Sequence, residues 1–156
     1  MQVQYGNLAA IECRYHEFIV LNDVSTAFKH LDRALEWCLQ GISFMNEVGI
    51  GGLTDLETTL TFIYRMRKDW DKVREWLDKA RAFAENSDSK CELGLVFAEE
   101  AELHEALGDR VKAIAMFELA QGSFVSAQAR EWNALVTGRL NGLKCGDLNS
   151  KPLKIW

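Results

Sequence analysis

Apolar residues recur at intervals of three and four along the chain, a spacing that predicts helices and no strands. Leu8, Ile11, Tyr15, Phe18 and Leu21 mark a first helix over about 4–21. A second, long one runs from Val24 to about Glu47 through Phe28, Leu31, Leu35, Cys38, Leu39, Ile42 and Met45. Gly49-Ile50-Gly51-Gly52 is the clearest break. Thr54 opens a third helix with Glu57 completing a capping box, and Leu56, Leu60, Ile63 and Tyr64 carry it to about Arg67. A fourth spans Trp70 to Glu85 and stops at Asn86-Ser87-Asp88. Ser89 and Glu92 form a second capping box and start a fifth helix to Leu107. A sixth covers Arg110 to about Ala127 and a seventh Arg130 to Lys144. Ser126-Ala127-Gln128 is a weak breaker, which leaves open whether these two are one bent rod. Beyond Asp147 the sequence reads as a polar, frayed tail.

The pattern repeats. The turns Asn22-Asp23, Lys68-Asp69 and Gly108-Asp109 are each followed by a small–large–small stripe: Ala27, Leu31, Ala34; Val73, Leu77, Ala80; Ala113, Phe117, Ala120. One such stripe at i, i+4, i+7 is one helical face, and its recurrence predicts stacked helical hairpins. Gly146-Asp147 is a fourth turn of the same kind with no second helix after it. The turn aspartates are 46, 40 and 38 residues apart. A lone hairpin cannot bury its inner face, so each must dock on its neighbour. The seventh helix, with Trp132, Leu135, Val136 and Leu140, reads as the closing cap of one domain over 1–147, with 148–156 as a flexible tail.

Composition narrows the function classes. The chain has 156 residues, 48% of them hydrophobic and 26% charged, as in an ordinary soluble domain with a substantial core. Its net charge of −5 opposes nonspecific nucleic-acid binding and adhesion to anionic membranes. No signal-like N-terminus and no long apolar run is present, so the expected location is cytoplasmic. Cys13, Cys38, Cys91 and Cys145 are scattered without a CxxC pair, which favours buried, reduced thiols.

The turn-plus-helix pattern resembles the tetratricopeptide repeat (TPR), in its longer-helix variants. The best stretch is Glu105-Ala106-Leu107-Gly108-Asp109-Arg110-Val111-Lys112-Ala113, followed by Phe117 and Ala120. The middle repeat matches with Tyr64, Trp70, Leu77 and Ala80, the first with Phe18, Ala27, Leu31 and Ala34. Departures fall in the first helices: Ile11, Glu57 and Phe97 replace the early tryptophan, and the closing proline is absent. The repeats also exceed the roughly 34 residues of the consensus. The resemblance covers about 8–146 and implies an all-α fold: a right-handed α-α superhelix of about three hairpins plus a C-terminal capping helix.

It also implies a concave groove lined by first helices. The groove positions fall on Glu12, His16 and Ile19; on Thr58, Phe62 and Arg65; and on Ala98, Glu99, Glu102 and Glu105. Phe62 would be the apolar anchor, with Arg65 and the glutamates setting charge register. Glu99, Glu100, Glu102 and Glu105 crowd one helix, where like charges are mutually unfavourable, so a basic partner or plain solvation would account for them. Family members that hold acidic chaperone tails use basic residues where this chain has Glu12 and His16, so that clamp is not expected.

Catalytic signals are thin. His16, His30 and His104 lie in neither Glu-x-x-His nor His-Glu-x-x-His spacing. No Gly-x-Ser-x-Gly elbow or phosphate loop occurs, and Cys38 and Cys91 sit on apolar stripes. Trp37, Trp70 and Trp76 fit wedges between hairpins and Trp132 an anchor for the cap, while Trp156 has no core to enter. The expectation is a non-enzymatic protein- or peptide-binding scaffold or adaptor, without cofactor or metal. A ligand- or peptide-sensing segment of a larger regulator is the alternative. Self-association is a further expectation, because the open end of a stack exposes an apolar face.

Overall fold

A computed structural model describes residues 8, 9, 12, 24–49 and 54–146. Among these every regular element is α-helical: α1 (Val24–Glu47), α2 (Thr54–Met66), α3 (Trp70–Asn86), α4 (Lys90–Ala106), α5 (Arg110–Ser126) and α6 (Arg130–Cys145). Leu8, Ala9 and Glu12 are helical too; the rest of the helix expected over 4–21, and the 148–156 tail, lie outside the described residues.

From α2 to α6 the helices alternate with evenly spaced turns. Residues with positive φ sit at Lys68, Asp88, Gly108 and Gln128, twenty residues apart. At Gly108 the turn closes by two backbone bonds, Gly108 N–H to Glu105 O at 2.9 Å and Asp109 N–H to His104 O at 2.8 Å. Gln128 and Ala129 repeat this on Val125 O and Phe124 O, so α5 and α6 are two helices rather than one bent rod. Helix starts follow from local chemistry. Ser89 Oγ accepts from Glu92 N–H, and Asp109 accepts from Lys112 N–H. Glu92 does not close the expected capping box; its carboxylate binds Ser87 Oγ at 2.5 Å.

The chain divides into two compact units, one ending at Trp76 and the other beginning at Leu77. In the first, Leu31, Ala34, Cys38 and Met45 of α1 meet Leu56, Leu60, Phe62 and Ile63 of α2 and Trp76. Spacings of 3, 4 and 7 on α1 make that one stripe, and the predicted Leu31 and Ala34 are both fully buried. Arg67 at the end of α2 binds Asp32 of α1, and His30 Nδ1 lies 2.5 Å from Glu12 Oε2.

In the second unit α4, α5 and α6 pack in sequence order. Ala113, Phe117, Ala120 and Phe124 form the inner face of α5, against Leu95, Ala98 and Ala101 of α4 and Val136, Leu140 and Leu143 of α6. Gly94 sets the α4–α5 distance, since a Cβ there would lie 2.6 Å from the Phe124 ring. Trp132 stacks on Phe124 with centroids 6.2 Å apart, which seats α6 as the expected anchor. Arg81 of α3 reaches Glu100 and covers the Phe97 ring of α4.

Candidate functional site

The expected groove residues lie mostly inside the protein. On α2 every residue from Leu56 to Ile63 is buried, including Glu57, Thr58, Thr59 and Thr61. Thr58 is 1% exposed, Phe62 2% and Arg65 4%, with the Arg65 guanidinium 5.4 Å from the Phe62 ring centroid. Thr61 satisfies its hydroxyl by donating to Glu57 O, one turn back. On α4, Ala98 and Glu99 are fully buried and Glu102 nearly so. The solvated acidic lining expected from the sequence is therefore corrected: Glu99 and Glu102 point into the protein, and Glu100 and Glu105 keep only partial exposure. Glu12 is half-buried against His30, while His16 and Ile19 lie outside the described residues.

Glu102 and Glu105 of the acidic cluster are met by an arginine the sequence reading did not single out. Arg139 of α6 grips Glu102 through both carboxylate oxygens, Nε–Oε1 at 3.0 Å and Nη2–Oε2 at 3.3 Å. Nη2 also donates to Glu105, and the guanidinium sits 5.9 Å from the Phe117 ring centroid. The planar fork of arginine suits this bidentate geometry, and the charge is met by two carboxylates in a dry setting. A trace of this was readable. Arg139 is the one cation on a stripe otherwise made of Trp132, Val136, Leu140 and Leu143. Its partners are 37 and 34 residues away, beyond any local pattern.

Compared with known protein families, curated proteins and solved structures, the chain matches none.

The remaining chemistry is spare. Burial pushes the Cys38 thiol up to about 12, which keeps it protonated and unreactive. Cys91 is half-buried against the α5 core, whereas Cys145 is exposed in the last turn of α6, contrary to the expectation of uniformly buried thiols. Among the described residues no three of His, Cys, Asp and Glu gather in a metal-binding group. No described helix is long and apolar enough to cross a membrane. A cavity of about 260 Å³ lies at the α5–α6 turn, lined by Phe124, Val125, Gln128, Ala129, Arg130 and Asn133.

The surface feature that sequence reasoning missed is the outer face of α5. Val111 is 81% exposed, Leu119 48% and Val125 59%, with Ala115 and Gly122 exposed between them. The residues forty positions earlier on α3 are Asp71, Lys79, Glu85, Glu75 and Ala82. The same helical position is thus charged in one repeat and apolar in the next. The signal is in the sequence, where a second, apolar stripe lies opposite the inner stripe of α5.

Proposed function

We propose that the chain is a non-enzymatic protein-binding scaffold whose hairpins continue into a right-handed α-α superhelix of the TPR-like kind. The forty-residue correspondence of α3 with α5 and of α4 with α6 supports this, as does the sequential packing of α4, α5 and α6. The observation that carries the binding role is the exposed apolar face of α5. Folding does not demand it, because α3 carries charges at the equivalent positions. Val111, Ala115, Leu119, Gly122 and Val125 form a stripe some 21 Å long at 1.5 Å per residue, suited to the apolar side of a partner protein or peptide. The glutamates of α4 lend no support to a basic partner, since Arg139 already binds buried Glu102 and half-buried Glu105.

Transplanting the α3 residues tests the reading. The triple variant Val111→Asp, Ala115→Glu, Leu119→Lys should keep the helical circular-dichroism signal and melting temperature of the parent. It should lose any protein that the parent captures from its native source. Capture that survives all three charges would remove the α5 face from the argument.

A further inference from the structure

The turn between α5 and α6 repeats the turn between α3 and α4 forty residues earlier, with different chemistry. In the earlier turn the charges have partners: Lys90 Nζ lies 3.9 Å from Asp88, and Glu85 lies 4.0 Å from Arg81. Leu93 stands at the end of the first turn of α4. Forty residues on, Val125 replaces Glu85, Gln128 replaces Asp88 and Asn133 replaces Leu93, while the cation is kept as Arg130. Both acids are gone, and exposed Arg130 forms no ion pair among the described residues. Asn133 Oδ1 is shut off from water and accepts no hydrogen bond among the described residues. A buried acceptor in that state costs stability, so folding alone does not account for it. Gln128, Arg130 and Asn133 all line the cavity of about 260 Å³, with Phe124 and Val125 as its apolar wall.

We infer that this cavity binds a small apolar hydroxy acid: a carboxylate with one neutral donor on the next carbon and an alkyl chain beyond. Each part of the lining selects one part of such a molecule. The unpaired guanidinium suits the carboxylate, which it can hold through two N–H groups. The buried amide oxygen needs a donor, and the hydroxyl supplies one. Arg130 and Asn133 are three residues apart on one helix and so are neighbours on its surface, as the two polar groups are on the ligand. Phe124 and Val125 take the alkyl chain. Other ligands fit less well. An inorganic anion gains nothing from an apolar wall and is repelled by the amide oxygen. A free amino acid brings an ammonium, and no carboxylate lines the cavity to meet it. Larger cofactors need more room, since small-molecule pockets run from about 300 to 1,000 Å³. The site shares Val125 with the outer face of α5 but none of Val111, Ala115 and Leu119, so it stands if that reading falls.

The probe is 2-hydroxy-4-methylpentanoate, titrated into the full chain and read by backbone amide NMR shifts. Saturable shifts are expected at residues 128–133. The uncharged amide of the probe should bind at least about tenfold more weakly, and so should the probe itself to Arg130→Gln. Removing the hydroxyl, as in 4-methylpentanoate, or its acceptor, as in Asn133→Leu, should each weaken binding about threefold or more. Arg130 is exposed and a leucine stands at the matching place in α4, so both variants should fold, as circular dichroism will verify. The triple variant of the α5 outer face should bind the probe as the parent does, which keeps the two tests separate. No saturable shift, or equal affinity for the amide, overturns the inference. Equally tight acetate would leave an adventitious ion only, and tighter leucine or N-acetyl-leucine would give the cavity to an amino acid or a peptide end. Each of these overturns it as well.

Discussion

Arg139 on α6 and Glu102 on α4 form a bidentate ion pair with side chains only 3% and 1% exposed. The pair ties together the two helices that flank α5. Two buried charges gain little net stability together, but either alone is costly.

Removing one partner should therefore hurt more than removing both. Arg139→Met alone, which strands Glu102, is expected to cost about 3–5 kcal/mol in urea unfolding, and Glu102→Leu less, because Glu105 still meets the guanidinium. The double variant should recover much of that loss. Additive losses would mean that the pair is not coupled in the folded protein.

Gly94 and Gly122 should respond in opposite directions. Gly94→Ala forces a methyl against the Phe124 ring, itself fully buried, and should cost about 1–3 kcal/mol. Gly122→Ala meets open space on an exposed helical face and should stabilise by about 0.5–1 kcal/mol. Thermal melts of the two variants check both signs.

The turns hold non-glycine residues in left-handed backbone at Lys68, Asp88 and Gln128. Gln128→Gly removes that strain and should raise stability by roughly 0.5–1 kcal/mol. Gly108→Ala, at φ +82, should lower it. A fall in melting temperature for Gln128→Gly would contradict the turn geometry.

Cys38 gives the pH dependence. Its folded pKa of about 12 lies above an unfolded value near 8.5, so the folded state holds the proton more tightly. Stability linked to this thiol is complete below about pH 8.5 and declines as pH rises towards 12. The urea midpoint should fall more steeply over that window in the parent than in Cys38→Ala. Alkylation at pH 8 should label Cys145 before Cys91 and Cys91 before Cys38, as mass spectrometry can read. Asp109 works the other way. Bonds from Lys112 hold its carboxyl below the usual range, so its capping contribution is lost only as pH falls through that lowered value.

Among the described residues the helices, their order and their inner stripes were legible because apolar spacing and turn chemistry are local. Ala113, Phe117 and Ala120 are buried as their spacing requires, and Ser89 and Asp109 cap the helices that follow them. The α5–α6 break was less legible, since Gln128 adopts positive φ without being glycine. The site suffered most. A run of glutamates reads alike whether water or an arginine 37 residues away receives it.

What the amino-acid order determined by itself was periodicity: which face of each helix is greasy, and where the chain must turn. Tertiary packing decided which faces find a neighbour. It buried Glu102 by bringing Arg139 to it, and it covered Leu95 with α5 while leaving Leu135 bare on an equivalent helix. Local spacing encodes a side chain's direction, but only the arrival of another helix determines whether water or protein lies there.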